Sequence, residues 1–536
     1  MKNTFRLLLL ALLSGILLMF SWPEIGFSPL IFIALVPLLS IEETLLQSGK
    51  ARSNLAVFGY AYLSFLIWNL GDTWWVKNAS FEGALMAFFA NSALMAGTFT
   101  LFHRTRKVLR SPNSIYYLPV FWLAFEYIHH VWSISWPWLT FGNVFANSVQ
   151  LIQWYEFTGT SGGSLWVILI NCAAFNVLRT WIQDKEAPIK PAVRRLLFGL
   201  LIPSLVSVAL YFYRSEDRGE IARVAIIQPN VDPYNEKFDG MSLDEQTNKI
   251  LRLAKKVTQP QTDWLICPET ALVGSMDESS LSQQPRIELF KQLTDTFPRL
   301  NVLIGAETHQ VYMPGQKTVT ARKARGGDVY YDAFNTAVMI NSRGVRTYHK
   351  SKLVPGVEIM PFPWLFKHIE SFAIDLGGTT GTLGMQEERS VFSGVDAKQK
   401  VAPAVCYESV YGDFMTGYMD NGANFIAIIT NDGWWGETPG YKQHLAYARL
   451  RAIETRKSIV RSANTGVSCF INQRGDILQA QPYWQEAAIE GEIKLNSERT
   501  IYSYTGDLFG LSACFLAIWL YIWSFYLRFK QRRNKA

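Results

Sequence analysis

Eight apolar runs, seven before a long polar segment and one after it, limit this chain more than any other feature. They are Leu7–Phe20, Pro29–Ile41, Leu55–Leu70, Gly83–Phe102, Tyr116–Val131, Leu165–Val177, Leu196–Phe212 and Leu508–Leu527. A helix that crosses lipid hydrocarbon needs about 20 residues, and several runs are shorter. Their helices are therefore expected to extend into the flanks. The first run follows Lys2 and Arg6 and could pass for a signal peptide. Ser21-Trp22-Pro23-Glu24 then stands where a small-residue cleavage site would be, and more apolar runs follow, so it reads as a retained span. Composition agrees with a mixed protein. Of 536 residues, 49% are hydrophobic and 18% charged, too apolar for an ordinary soluble chain and too polar for a pure membrane bundle.

The basic residues test that count. With the N-terminus inside, the inner loops are Glu42–Asn54, His103–Asn113 and Arg179–Arg195, and the tail from Arg528 is also inside. These hold most of the Lys and Arg of the apolar region, while Ser21–Ser28 and Gly71–Glu82 hold little, as the positive-inside rule requires. The polar segment then lies outside the cytoplasm. The net charge of +7 is explained by this topology and implies no nucleic-acid partner. The connection Ser133–Gly163 is rich in aromatics, among them Trp136, Trp138, Phe141, Phe145, Trp154 and Phe157. It reads either as an interfacial aromatic belt or as a wall of a lipid-entry site.

From about Gly219 to Glu498 the character changes. Arg223–Gln228, Trp264–Cys267, Val302–Gly305, Thr336–Ile340, Val401–Val405, Phe425–Thr430 and Ser468–Asn472 read as strands, and Leu243–Val257, Ile287–Phe297 and Gln443–Lys457 as helices. The alternation predicts an α/β domain with buried sheets. Lys317–Gly327, with Gly326-Gly327, reads as a basic surface loop. The expected division is 1–215 membrane helices, 219–498 polar domain, 505–528 eighth span and 529–536 basic tail.

Three stretches carry chemistry. Val401-Ala-Pro-Ala-Val-Cys-Tyr-Glu-Ser delivers Cys406 at the end of a β-prone run, with a helix expected over Glu408–Tyr418 whose N-terminal field would favour a thiolate. Trp264-Leu-Ile-Cys-Pro-Glu places Glu269 just past a strand, where partial desolvation would make it a useful base. Tyr348-His-Lys-Ser-Lys-Leu-Val-Pro-Gly-Val-Glu holds Lys350, Lys352 and Glu358, and a fixed ammonium can stabilise an oxyanion. Each alone has a plainer explanation: a core cysteine, a loop glutamate, solvated lysines. The order Glu, Lys, Cys, each after a β-prone run, is far more specific.

With these motifs the polar domain resembles the nitrilase-type carbon–nitrogen hydrolases. With its spans the whole chain resembles the bacterial apolipoprotein N-acyltransferase family. Gln228-Pro-Asn, Pro268-Glu-Thr, Lys350 with Leu353-Val-Pro, Cys406-Tyr-Glu, Thr430-Asn-Asp-Gly-Trp-Trp-Gly, Gln443-His and Arg461-Ser-Ala-Asn-Thr-Gly carry the resemblance. It implies eight transmembrane helices and an αββα sandwich. It also implies Glu269 as general base, Lys350 as oxyanion-stabilising lysine, Cys406 as nucleophile and Glu358 as a second, supporting glutamate. Tyr407 and Glu408 would shape the pocket. Phe238, in Lys237-Phe238 where the family often carries tryptophan, would take a stacking role. Asn431 falls near the active edge of the sheet, and Trp434 lines the acyl pocket or simply packs.

The implied reaction moves a fatty acyl chain from a membrane phospholipid, through a cysteine thioester, to the α-amino group of the S-diacylglyceryl-cysteine of a lipoprotein. The implied setting is the bacterial inner membrane, with the polar domain on the periplasmic side and the chain a monomer. No metal or cofactor motif is present in the sequence. Cys172, Cys267, Cys469 and Cys514 read as packing residues, and His444 as structural for want of a partner cluster. A membrane-tethered amidase would share the triad but needs only one span. A non-catalytic receptor or transporter would place polar residues within its spans, and Glu126, His129 and His130 are thin support for that.

Overall fold

The computed structural model describes residues 2–49, 52–109, 111, 113–183, 188–214, 217–238, 240–313, 315–324, 329–359 and 382–533. It divides into two compact units, one of Met1–Lys77, Phe81–Tyr213 and Thr505–Ala536, the other of Asn78–Ser80 and Arg214–Tyr504.

In the first unit every apolar run is helical. Among the described residues, five helical segments are long and apolar enough to cross a membrane: Ser28–Gln47, Gly83–Leu109, Tyr155–Gln183, Lys190–Tyr213 and Leu508–Gln531. Each extends beyond the run that predicts it. Lys2–Met19 and Leu118–Val131 are short, and Ser53–Thr73 is diluted by Asn54 and Asn69, so these three fall below that length and composition. The second segment breaks at Leu35, two residues before Pro37, which cannot donate to the preceding turn. Asn171 replaces lost bonds there, accepting from Leu35 N at 2.8 Å and donating to Ile31 O at 2.7 Å.

Two loop expectations change. His103 and Arg106 lie inside the helix Asn91–Leu109, because the Glu42 carboxylate lies 2.7 Å from His103 Nδ1 and pairs with Arg106. Arg106 also reaches Glu43 at 2.6 Å. Half of the aromatic connection packs inward: Trp138, Phe141 and Phe145 are buried, and Phe141 stacks on Trp122 at 4.9 Å and on Trp68 at 5.3 Å, while Phe157 stays exposed. Buried Glu126 folds it inward, accepting from Phe141 N at 2.9 Å. This gives Glu126 a structural explanation that needs no transport pathway.

The second unit holds two sheets. Its strands are β1 Glu220–Gln228, β2 Trp264–Ile266, β3 Leu272–Asp277, β4 Asn301–Tyr312, β5 Arg322–Lys323, β6 Tyr330–Asn341 and β7 Gly344–His349. After them come β8 Phe392–Ser393, β9 Lys400–Val405, β10 Phe425–Thr430, β11 Ile459–Ala463, β12 Cys469–Ile471, β13 Ile477–Leu478 and β14 Ala487–Leu495. One sheet runs β14-β1-β2-β4-β6-β5, with β3 on β4 and β7 on β6; the other runs β13-β12-β11-β10-β9-β8. β1, β2 and β4 are parallel, as are β9, β10 and β11, so their C-terminal ends share an edge within each sheet. The sheets meet where Ser462 Oγ donates to Ile227 O at 2.8 Å and Trp264 packs edge-on against Phe425 at 5.3 Å.

The helix Leu243–Val257 buries Ile250, Leu253 and Ala254 on the first sheet, and Pro285–Thr296 adds Ile287, Phe290 and Leu293. Ser242 caps the former with a reciprocal bond to Glu245. Each predicted strand and helix overlaps an observed one. Part of the basic loop is strand, since Arg322–Lys323 pairs with Tyr330 and Tyr331. Gly326-Gly327 and the end of the tail, 534–536, lie outside the described residues.

Candidate active site

Strand ends of both sheets supply the site. After β2 the chain passes Pro268 and turns at Glu269, and Thr270 takes the left-handed conformation, φ 44°. Gly305 N donates to Pro268 O at 3.0 Å and holds this turn against β4. A Cβ on Gly305 would sit 2.5 Å from Thr270 N and 2.6 Å from Glu269 Cα, both backbone atoms that cannot swing aside. Gly305→Ala should therefore displace Glu269. The expected cost is about 1–3 kcal/mol of stability and roughly 100-fold in rate, the effect of a displacement near 1 Å. Thermal melting and initial rates check this.

Lys350 directly follows β7 and is 1% exposed. Its Nζ donates to Glu269 Oε1 at 3.1 Å and Glu358 Oε1 at 2.9 Å. Asn335 on β6 braces both carboxylates, donating to Glu269 at 2.8 Å and to Glu358 at 3.1 Å. Glu269 Oε2 accepts from Asn431 N at 3.1 Å, and Glu358 Oε2 from Val354 N at 2.8 Å. Burial alone would neutralise such groups. Against that push, the Lys350 charge and the Asn335 bond hold the Glu269 carboxyl below its ordinary range. Likewise the two carboxylates outweigh burial and hold the Lys350 ammonium well above its own. The proton stays on nitrogen.

Cys406 ends β9 and takes φ 50°. The expected helix after it starts later: a short 3-10 turn spans Cys406–Val410, and the helix runs from Gly412 to Asp420. It therefore begins past the nucleophile turn rather than at the cysteine. Burial pushes the thiol far up; Glu269 adds to this and Lys350 opposes it. Cys406 rests as a thiol within the field of both groups, so its use as a nucleophile needs a base. The Thr430 hydroxyl, which donates to Asp432 Oδ1 at 2.8 Å, also lies against it.

Glu408 does not line a pocket. It is fully buried and joins the lysine loop to the cysteine turn, accepting from Tyr348 Oη and Ser351 N at 2.6 Å and from Val405 N at 2.7 Å. Burial raises its carboxyl to about 7, against these bonds. A carboxyl raised in the folded state stabilises at low pH, and that contribution is lost as pH climbs from the ordinary value to about 7. The loss amounts to about 3 kcal/mol. Comparing melting curves of wild type and Glu408→Gln between those limits should show this slope in the wild type and its absence in the variant.

Tyr407 is buried edge-on against Tyr411 at 5.1 Å. Phe238 is partly exposed and stacks on Trp434 at 6.2 Å, and Tyr234 meets the same indole edge-on at 5.5 Å. Three features escaped the sequence reading. Asn335 is one, an amide side chain just ahead of the apolar run Ala337–Ile340 of β6. Lys237 is another: it is buried, donates to Thr270 Oγ1, and is lowered to about 8 by burial against the pull of Glu269 and Glu307. The third is the partner cluster of His444, for its Nδ1 is 3.0 Å from Asp432 Oδ1. Cys267 and Cys469 are core residues as expected.

Residues 223–502 match the family described as carbon-nitrogen hydrolase, and residues 14–173 match the apolipoprotein N-acyltransferase N-terminal domain. The chain belongs to the carbon–nitrogen hydrolase family. Within it, the curated relatives that match along nearly the whole chain are named apolipoprotein N-acyltransferases. One from Chlorobaculum tepidum is 29% identical, covering 93% of each chain. One from Geobacter metallireducens is 26% identical over 94% of this chain and 92% of the relative. One from Haemophilus influenzae is 25% identical over 96% and 95%. Among solved structures, yeast Nit3 of the nitrilase superfamily aligns with 54% of this chain and 94% of its own, at 16% identity and a TM-score of 0.35.

Proposed function

We propose that this chain is an acyltransferase that carries a fatty acyl group from a membrane phospholipid to the α-amino group of a lipoprotein's S-diacylglyceryl-cysteine. One observation carries the reading: a buried carboxylate paired to a buried ammonium at 3.1 Å, with a protonated thiol in the field of both. The names of the full-length relatives support the substrate class.

Glu269 takes the thiol proton as Cys406 Sγ attacks an ester carbonyl of the phospholipid. The carbonyl π pair moves to oxygen, and Lys350 and backbone N–H groups hold the oxyanion. Collapse breaks the ester C–O bond, and the lysophospholipid leaves with the proton from Glu269, giving a thioester on Cys406. The lipoprotein amine then attacks that thioester. Glu269 accepts the amine proton, the C–S bond breaks, and the thiol is restored. Glu358 and Asn335 keep Lys350 and Glu269 in register throughout.

The membrane unit acts in this scheme through eight spans, with the catalytic unit on the periplasmic side of the inner membrane and the protein a monomer. Both substrates are lipid-anchored, which gives the membrane unit its purpose in the reaction. The test is incubation of the purified protein with a phospholipid labelled in its acyl chains and a diacylglyceryl-cysteine peptide. Label on the peptide amine, appearing after label on the protein, is expected. Ammonia release from small amides with no transfer would instead make the chain a tethered amidase.

A further inference from the structure

Behind the nucleophile turn lies a buried charged cluster that the steps above do not use. Asp432 follows β10, His444 stands in the helix Pro439–Thr455 and Arg461 on β11, none more than 1% exposed. Asp432 Oδ1 is 3.0 Å from His444 Nδ1, and Arg461 donates to Asp432 Oδ2 at 2.6 Å. Arg461 also donates to Val467 O at 2.7 Å, which fixes the guanidinium. On the other side of the ring, His444 Nε2 lies 3.0 Å from Ser409 Oγ and 3.2 Å from Cys406 O. Ser409, His444 and Asp432 thus repeat the bonding order of a hydrolase triad. Ser409 is fully buried, however, and its hydroxyl donates to Cys406 O at 2.7 Å, so no substrate reaches it. The network ends on the nucleophile's own carbonyl.

That carbonyl only accepts, so the His444 tautomer that serves it carries its proton on Nε2, leaving Nδ1 to accept from Arg461 at 3.2 Å beside Asp432. Cys406 holds a left-handed backbone conformation, which costs a non-glycine residue free energy and persists only where its surroundings enforce it. Two donors on its carbonyl provide such enforcement. The Cys406–Tyr407 peptide is trans, and a planar trans peptide sends its C=O and N–H to opposite edges. Pinning the carbonyl toward His444 therefore aims the Tyr407 N–H away from it, to the other face of the turn.

We propose that His444, backed by Asp432 and Arg461, is a positioning residue that orients the Cys406–Tyr407 peptide so that the Tyr407 N–H joins Lys350 as an oxyanion donor. The proposal deepens the acyl-transfer reading and rests on it in one respect, that a carbonyl becomes an oxyanion at Cys406. Two reactions of the same sulfur separate this role from a structural one. Acylation by an ester builds an oxyanion; alkylation by iodoacetamide displaces iodide and builds none.

The full-length protein in detergent micelles is given a long-chain p-nitrophenyl ester, and the burst of nitrophenolate is followed. In parallel, alkylation of Cys406 by iodoacetamide is timed by mass spectrometry. His444→Asn is expected to slow the burst by about 10–100-fold, somewhat less than outright loss of an oxyanion donor. KM for the ester and the alkylation rate should stay unchanged. His444→Gln, whose amide N–H can reach the same carbonyl, should recover part of the loss. A burst in His444→Asn equal to wild type overturns the proposal. So does an equal loss in both reactions, which would mean that the whole turn has moved. If His444→Asn does not fold, Asp432→Asn must show the same split between burst and alkylation, and parallel losses there overturn it too. A wild type without any burst overturns the acyl-transfer reading as well, whereas equal bursts overturn this proposal alone.

Discussion

Cys406→Ala is expected to lower turnover by a factor on the order of 10⁶, the scale seen when a hydrolase loses its nucleophile. The protein should remain folded, because the side chain removed is small and the turn is held by other groups. Val405 N is bonded to Glu408 at 2.7 Å, and the Cys406 carbonyl is bonded to Ser409 and His444. Cys406→Ser keeps the shape and should do little better. A hydroxyl is a far weaker nucleophile than a thiol, and Glu269, held ionised below its ordinary range, is too weak a base to activate it. Initial rates of acyl transfer, with melting curves as the control for folding, check both variants.

Lys350→Met is expected to damage rate and stability together. Its ammonium lies between Glu269, which is buried, and Glu358, whose side chain is 14% exposed. Without it the two carboxylates keep Asn335, only Lys237 still draws on Glu269, and breaking a buried pair from one side costs about 3–5 kcal/mol. Loss of an oxyanion donor adds a factor of about 10²–10³ in kcat. The stability defect should depend on pH. In the wild type Glu269 is depressed and Lys350 raised, so the pair stays intact from mildly acidic to mildly alkaline pH. In the variant Glu269 keeps its burial and loses the Lys350 charge, so its carboxyl shifts upward, and the stability present at low pH falls as pH climbs through it. Melting at pH near 5 and near 8 should therefore differ more in Lys350→Met than in the wild type, where Glu408 already lowers stability over that range.

Much of this architecture is legible in the sequence, because period and punctuation act locally. Apolar runs mark the helices, and β-prone runs mark the strands that end at Glu269, Lys350 and Cys406. What is not legible depends on contacts between distant segments. Asn335 reads as one polar residue in a strand, and only the pairing of β4 with β6 and of β6 with β7 sets it between two glutamates. His444 reads as an isolated histidine, since Asp432 and Arg461 reach it from β10 and β11. The helix read over Glu408–Tyr418 begins only at Gly412, although the residues before it are helix-compatible. Yet Glu408 spends its carboxylate on Val405 N and the lysine loop, and a left-handed cysteine cannot start a regular helix. The aromatic stretch Ser133–Gly163 was ambiguous for a similar reason: interfacial and buried tryptophans look alike until packing against Trp68 and Trp122 is known.

The central claim is that Glu269 and Lys350 serve the sulfur of Cys406, which carries the acyl group between two lipid-anchored substrates. Intact-mass and peptide mass spectrometry of the protein after exposure to phospholipid, without acceptor, tests it most directly. The account predicts one fatty acyl mass on the peptide containing Cys406, labile to hydroxylamine, lost on adding a diacylglyceryl-cysteine peptide, and absent from Cys406→Ser. Transfer to the acceptor that proceeds with no adduct, or with the adduct on another residue, would contradict it.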